Sequence, residues 1–118
     1  MVFLLRVVIG LALLALPLPA LAHAILLDGT PAAGQTIPSG TLHVALRFNS
    51  RIDAARSRIT LLHDGASRVL KIAAGATPDI VVSDIAIAPG AQVLRWQVLA
   101  VDGHITRGEI RFTAGAGQ

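Results

Sequence analysis

Three side chains, far apart in the sequence, have the chemistry to gather around one ion. His23 follows Ala20-Leu21-Ala22, and Asp102 and His104 flank a single glycine near the other end of the chain. A chain cut before His23 would present two nitrogens on one residue, the α-amine and the ring Nδ1, which can close a chelate ring. An α-amine titrates at about 8, so a competing metal finds it available at neutral pH. In an extended segment Asp102 and His104 project to the same side, because side chains alternate with a period of two. Gly103 between them carries nothing to obstruct an approaching ion. Three nitrogens and one carboxylate oxygen then complete a four-donor plane.

Amine and imidazole nitrogens joined by a carboxylate suit Cu(II) in tetragonal geometry, and copper tops the divalent affinity order. Ile25, the third residue after the boundary, is not histidine, which excludes an amino-terminal x-x-His chelate. Asp102-Gly103-His104 alone also fits a solvated loop; it is the pairing with His23 that points to metal. The other polar residues read blandly. His43 falls on the outward face of a strand, His63 sits beside an Asp-Gly turn, and both are expected to be solvated. Asp28, near the terminus, could support the site from behind, but a turn or loop role is the simpler expectation. Trp96 falls at a core position, and Arg51, Arg56 and Arg58 read as a solvated cluster.

The metal reading depends on processing. Met1 to Leu5 with Arg6, the apolar run Val7 to Leu16, Pro17 and Pro19, and the small-x-small end at Ala22 are the parts of a cleaved secretory signal peptide over residues 1–22. Its uninterrupted apolar run is shorter than the roughly 20 residues that span a bilayer. The expected mature protein begins at His23, lies outside the cytoplasm, and is not inserted in the membrane. With no cysteine it has no thiolate ligand or nucleophile and must be held by its core. The net charge of +3 comes from interspersed bases and acids, which excludes a surface tracking a nucleic-acid backbone.

What must position the three residues is an all-β domain over residues 23–113, followed by a flexible tail at 114–118. Short Val-, Ile-, Leu- and Thr-rich segments recur between turn signals. Strands are predicted over Leu42–Phe48, Arg58–Leu62, Arg68–Ile72, Asp79–Ile87, Val93–Val101 and Ile105–Phe112. Ala54 to Ser57 makes at most one helical turn. Alternation in the first of these strands turns His43 and Arg47 outward. For the last two, a two-residue type I′ turn at Asp102-Gly103 would mix apolar and charged residues on one face. A register setting Trp96 against Ile110, Leu94 against Phe112 and Val98 against Gly108 gives a clean apolar face. The connection is therefore wider than a tight turn, or bulged, with Asp102, Gly103 and His104 at an exposed corner.

His23-Ala24, Thr30-Pro31-Ala32-Ala33-Gly34, Leu46-Arg47-Phe48, Pro89-Gly90, Leu94-Arg95-Trp96, Val101-Asp102-Gly103-His104 and Gly108-Glu109-Ile110-Arg111-Phe112 occur in the order seen in the CopC family of periplasmic copper-binding proteins. The resemblance covers nearly all of the mature chain. It implies a small Greek-key β-barrel or sandwich, immunoglobulin-like and of about seven strands, with Cu(II) bound by His23, Asp102 and His104. It also implies a membrane copper transporter of the CopD type as partner. Two departures stand out. Members with a Cu(I) site carry a methionine-rich loop, whereas the only methionine here is Met1, which implies a Cu(II)-only variant. Many members have glutamate two positions after the phenylalanine of the Leu-x-Phe segment, where this chain has Ser50.

The expected function is that of a monomeric, non-enzymatic Cu(II) carrier or buffer in copper homeostasis or resistance. Polysaccharide-acting copper monooxygenases also use an N-terminal histidine and a second histidine. Against that reading, the chain has no tyrosine, little length for a substrate platform, and an aspartate that would occupy the copper plane. A metal-free structural β-sandwich is the third possibility.

Overall fold

Alternation of apolar and polar residues decides the architecture. The computed structural model describes residues 24–116, so His23 and the signal peptide expected over residues 1–22 lie outside the described residues. The strands are β1 (Leu26–Thr30), β2 (Thr36–Pro38), β3 (Gly40–Phe48), β4 (Arg58–His63), β5 (Ala66–Val69), β6 (Ala73–Ala74), β7 (Ile80–Ile87), β8 (Gly90–Leu99) and β9 (Ile105–Gly115), with one 3₁₀ turn at Ala54–Arg56. They form two sheets, ordered β1-β3-β7-β6 and β2-β9-β8-β4-β5. No helix among the described residues is long and apolar enough to cross a membrane.

The two sheets face each other through the apolar half of each alternating strand. From the four-stranded sheet come Leu42, Val44, Leu46 and Phe48 of β3 with Val81, Ile85 and Ile87 of β7. From the five-stranded sheet come Ile59 and Leu61 of β4, Leu94, Trp96 and Val98 of β8, and Ile110, Phe112 and Ala114 of β9. Burying each large side chain contributes about 1.5–3 kcal/mol, the means by which a cysteine-free domain holds together. Trp96 meets Phe48 edge to face across the sandwich, with centroids 5.2 Å apart and planes at 73°. As alternation predicts, His43 is exposed; its Nδ1 lies 2.6 Å from Asp84 on the opposed strand.

The β-sandwich is the expected fold, with differences in detail. Among the described residues there are nine strands where about seven were expected. β1, β2 and β6 lie outside the predicted strands; β2 and β6 pair over only three and two residues and carry no periodicity to reveal them. β9 runs past Phe112 because β2 pairs with it in parallel, taking Ala114 and Gly115 out of the expected tail. The β8–β9 register differs by two residues from the expected one: Leu94 opposes Ile110, Trp96 opposes Gly108 and Val98 opposes Thr106. Both registers keep the apolar parity, so alternation could not separate them. The type I′ turn occurs at the other Asp-Gly, where His63 pairs with Ala66 around Asp64 (φ 52°) and Gly65 (φ 76°).

Two polar residues also differ from expectation. Asp28 lies within β1, not in a turn, and accepts hydrogen bonds from Arg47 Nε at 2.8 Å and Nη2 at 2.5 Å. His63 is half-buried, its Nδ1 lying 3.0 Å from the Ala91 carbonyl oxygen.

Candidate metal centre

The β8–β9 loop is a three-residue turn. Ala100 N–H donates to His104 O at 2.9 Å, and Gly103 N–H donates to Ala100 O at 2.9 Å. This leaves Val101, Asp102 and Gly103 at the tip, with Gly103 at φ 95°, a backbone conformation that favours glycine. Asp102 folds back over the turn. Its Oδ1 accepts the His104 N–H at 3.1 Å and lies 3.2 Å from His104 Nδ1. The His104 N–H, first among the causes, holds the Asp102 carboxyl below its ordinary value, and the imidazole adds to the effect.

Oδ1 of Asp102 and Nδ1 of His104 are thus neighbouring donors on one exposed corner. Adjacent ligands at right angles on a metal with bonds of about 2 Å stand about 3 Å apart, so this spacing suits a shared ion. Among the described residues no third histidine or carboxylate joins them in a metal-sized cluster. His23, the remaining residue of the expected donor set, lies outside the described residues.

The chain near that terminus is nevertheless placed. Ala24 is buried in the core. Ile25 N–H donates to Asn49 Oδ1 at 2.7 Å, and Asn49 N–H donates to Ile25 O at 3.0 Å. Two residues later the same segment reaches the corner: Val101 N–H donates to Arg51 O at 3.1 Å, and Ile52 bridges Ala100. Asn49 and Arg51 are at most about 7 Å apart along an extended chain. The start of the described chain and the Asp102–His104 corner are therefore stitched to one short connector. Asn49, whose side chain does half of this, carried no sequence signal, because its role depends on a contact 24 residues away. Ser50 sits half-buried between the two points of attachment.

The CopC domain model matches residues 26–115. The chain belongs to the CopC family. A comparison with curated proteins finds no match. Among solved structures, CopC from Methylosinus trichosporium OB3b is 27% identical with a TM-score of 0.72, covering 81% of this chain and 97% of that one. PcoC, a methionine-rich copper resistance protein from Escherichia coli, is 22% identical with a TM-score of 0.66, over 79% of this chain and 99% of its own. Murine CRIg, 11% identical with a TM-score of 0.50 over 82% of this chain and all of its own, shares only the fold. Membership of the CopC family ties this chain to copper. Unlike a methionine-rich protein, it has one methionine in its full length, Met1.

Proposed function

We propose that this CopC-family protein is an exported Cu(II) carrier or buffer, working in the periplasm or an equivalent extracytoplasmic space. In this reading the α-amine and imidazole of His23, with Asp102 and His104, hold the ion. The observation that carries it is the 3.2 Å pairing of Asp102 Oδ1 with His104 Nδ1 on an exposed corner. The stitched connector adds support by bringing the chain next to His23 towards the same end of the sandwich. Copper is cargo here, not a catalyst, and release to a membrane transporter of the CopD type would complete the role. A carboxylate in the copper plane and the absence of tyrosine both favour carriage over oxygen chemistry.

Chelation gives the test. Protein beginning at His23 is compared with the same chain carrying one extra N-terminal residue, which turns the amine into an amide. Each is titrated with Cu(II) and followed by electron paramagnetic resonance. A tight tetragonal nitrogen-rich signal is expected in the first and a weakened, altered one in the second. Identical affinity and spectrum would overturn the proposed ligand set.

A further inference from the structure

The outward face of the five-stranded sheet is rich in arginine. Cross-strand register places Arg58 of β4 and Arg107 of β9 on either side of Gln97 of β8, in one row. The next row runs Thr60, Arg95, Glu109. Arg58 and Arg107 are two strand spacings apart, about 10 Å, close enough for their long side chains to converge. Together with Trp96 and Gly108 these six residues line a depression of about 390 Å³.

Two of the guanidiniums are anchored in ways that leave donors unused. Arg107 Nε donates to Gln97 Oε1 at 2.8 Å, and Arg95 Nε donates to Glu109 Oε1 at 2.8 Å. Each retains its terminal Nη groups, and the side chain of Arg58 has no hydrogen bond or ion pair among the described residues. Glu109 is shared with Arg111 at 3.4 Å and is held below the ordinary carboxyl range, chiefly by Arg95. One carboxylate thus serves neighbouring like charges whose proximity is otherwise unfavourable.

We propose that this depression is a phosphate-type oxyanion site, separate from the metal corner, with Arg58, Arg95 and Arg107 as its donors. Guanidinium forks match the paired oxygens of a phosphate group and are bound most firmly when already oriented. Either inorganic phosphate or the headgroup of an anionic phospholipid supplies that chemistry.

The copper-free protein is titrated with inorganic phosphate while backbone amides are followed by nuclear magnetic resonance. In parallel it is floated with phosphatidylglycerol vesicles and with phosphatidylcholine vesicles. Saturable shifts centred on Arg95, Gln97, Arg107 and Gly108 are expected, weakened at least ten-fold in R58Q/R107Q and strengthened in E109Q. R56Q, which removes one positive charge from the 3₁₀ turn, should leave them unchanged, whereas R107Q alone, an equal loss of charge, should weaken them. Flotation with phosphatidylglycerol alone, poorly competed by phosphate, identifies a headgroup site; phosphate shifts without flotation identify a small-ion site. The proposal is overturned if neither probe binds saturably, or if R56Q weakens binding as much as R58Q/R107Q.

Discussion

Asp102 is held ionised by the backbone of the residue it partners. Its Oδ1 accepts the His104 N–H, and protonation would weaken that bond, so the folded state binds the proton less readily than the unfolded chain. The sign follows: with the folded value lowered, this interaction stabilises the loop at neutral pH, and its contribution is lost as pH falls through the folded value. The His104 amide resonance should therefore titrate with a midpoint below the ordinary 3.8, and D102N should abolish that titration. A midpoint at or above the ordinary value would contradict the loop geometry. Ser50 is the other residue to test. It lies between Asn49 and Arg51, the two attachments of the connector. The family resemblance puts glutamate there in many members, and a carboxylate supporting a metal ligand commonly changes affinity by about 10- to 100-fold. S50E should tighten Cu(II) in competition titrations by about ten-fold or more; unchanged affinity would show that the position does not reach the metal.

At the scale of elements, parity was legible in the sequence and register was not. Alternation in β3, β8 and β9 correctly marked the buried face, because a period of two depends only on neighbours along the strand. The loop closing β8 and β9 holds Val101, Asp102 and Gly103 at its tip where Asp102, Gly103 and His104 were expected, and it moves every pair by two without moving any side chain to the other face. The consequence is specific: Trp96 opposes Gly108, and a Cβ there would fall 2.2 Å from Trp96 Cζ2 and 2.6 Å from Cε2. The indole can lie flat only because position 108 has no side chain. G108A should therefore destabilise the domain by about 1–3 kcal/mol, the usual cost of overpacking. Urea unfolding followed by the single tryptophan measures it. Near-ultraviolet circular dichroism should change as well, since the edge-to-face contact with Phe48 is disturbed. Wild-type stability with an unaltered spectrum would refute the pairing. The arginine face was hidden for the same reason: Arg58, Arg95 and Arg107 are separate outward residues until register aligns their strands.

For the whole molecule, the described start of the chain and the Asp102–His104 corner lead into opposite sheets. The chain that leaves the terminus enters β1, in the four-stranded sheet, whereas Asp102 and His104 belong to the β8–β9 loop of the five-stranded one. The residue types of the site were legible because His23 and Asp102-Gly103-His104 announce their chemistry locally. The tie between the start of the described chain and the Asp102–His104 corner was not, since it depends on the connector and on the Asn49 bond. In the proposed site a copper ion would fasten the two sheets at one end, so metal binding and folding must be thermodynamically linked. An ion that binds only the folded state at 100 times its dissociation constant stabilises by about 2.7 kcal/mol. For a domain of this size that raises the melting temperature by about 10–20 °C. Calorimetry of the chain beginning at His23 should show such a rise with Cu(II) and little with Mg²⁺, whose preference for oxygen ligands this donor set does not meet. H104A and the chain with one added N-terminal residue should each lose most of the rise. Were both to keep it, neither the α-amine of His23 nor the imidazole of His104 would be what holds the stabilising copper.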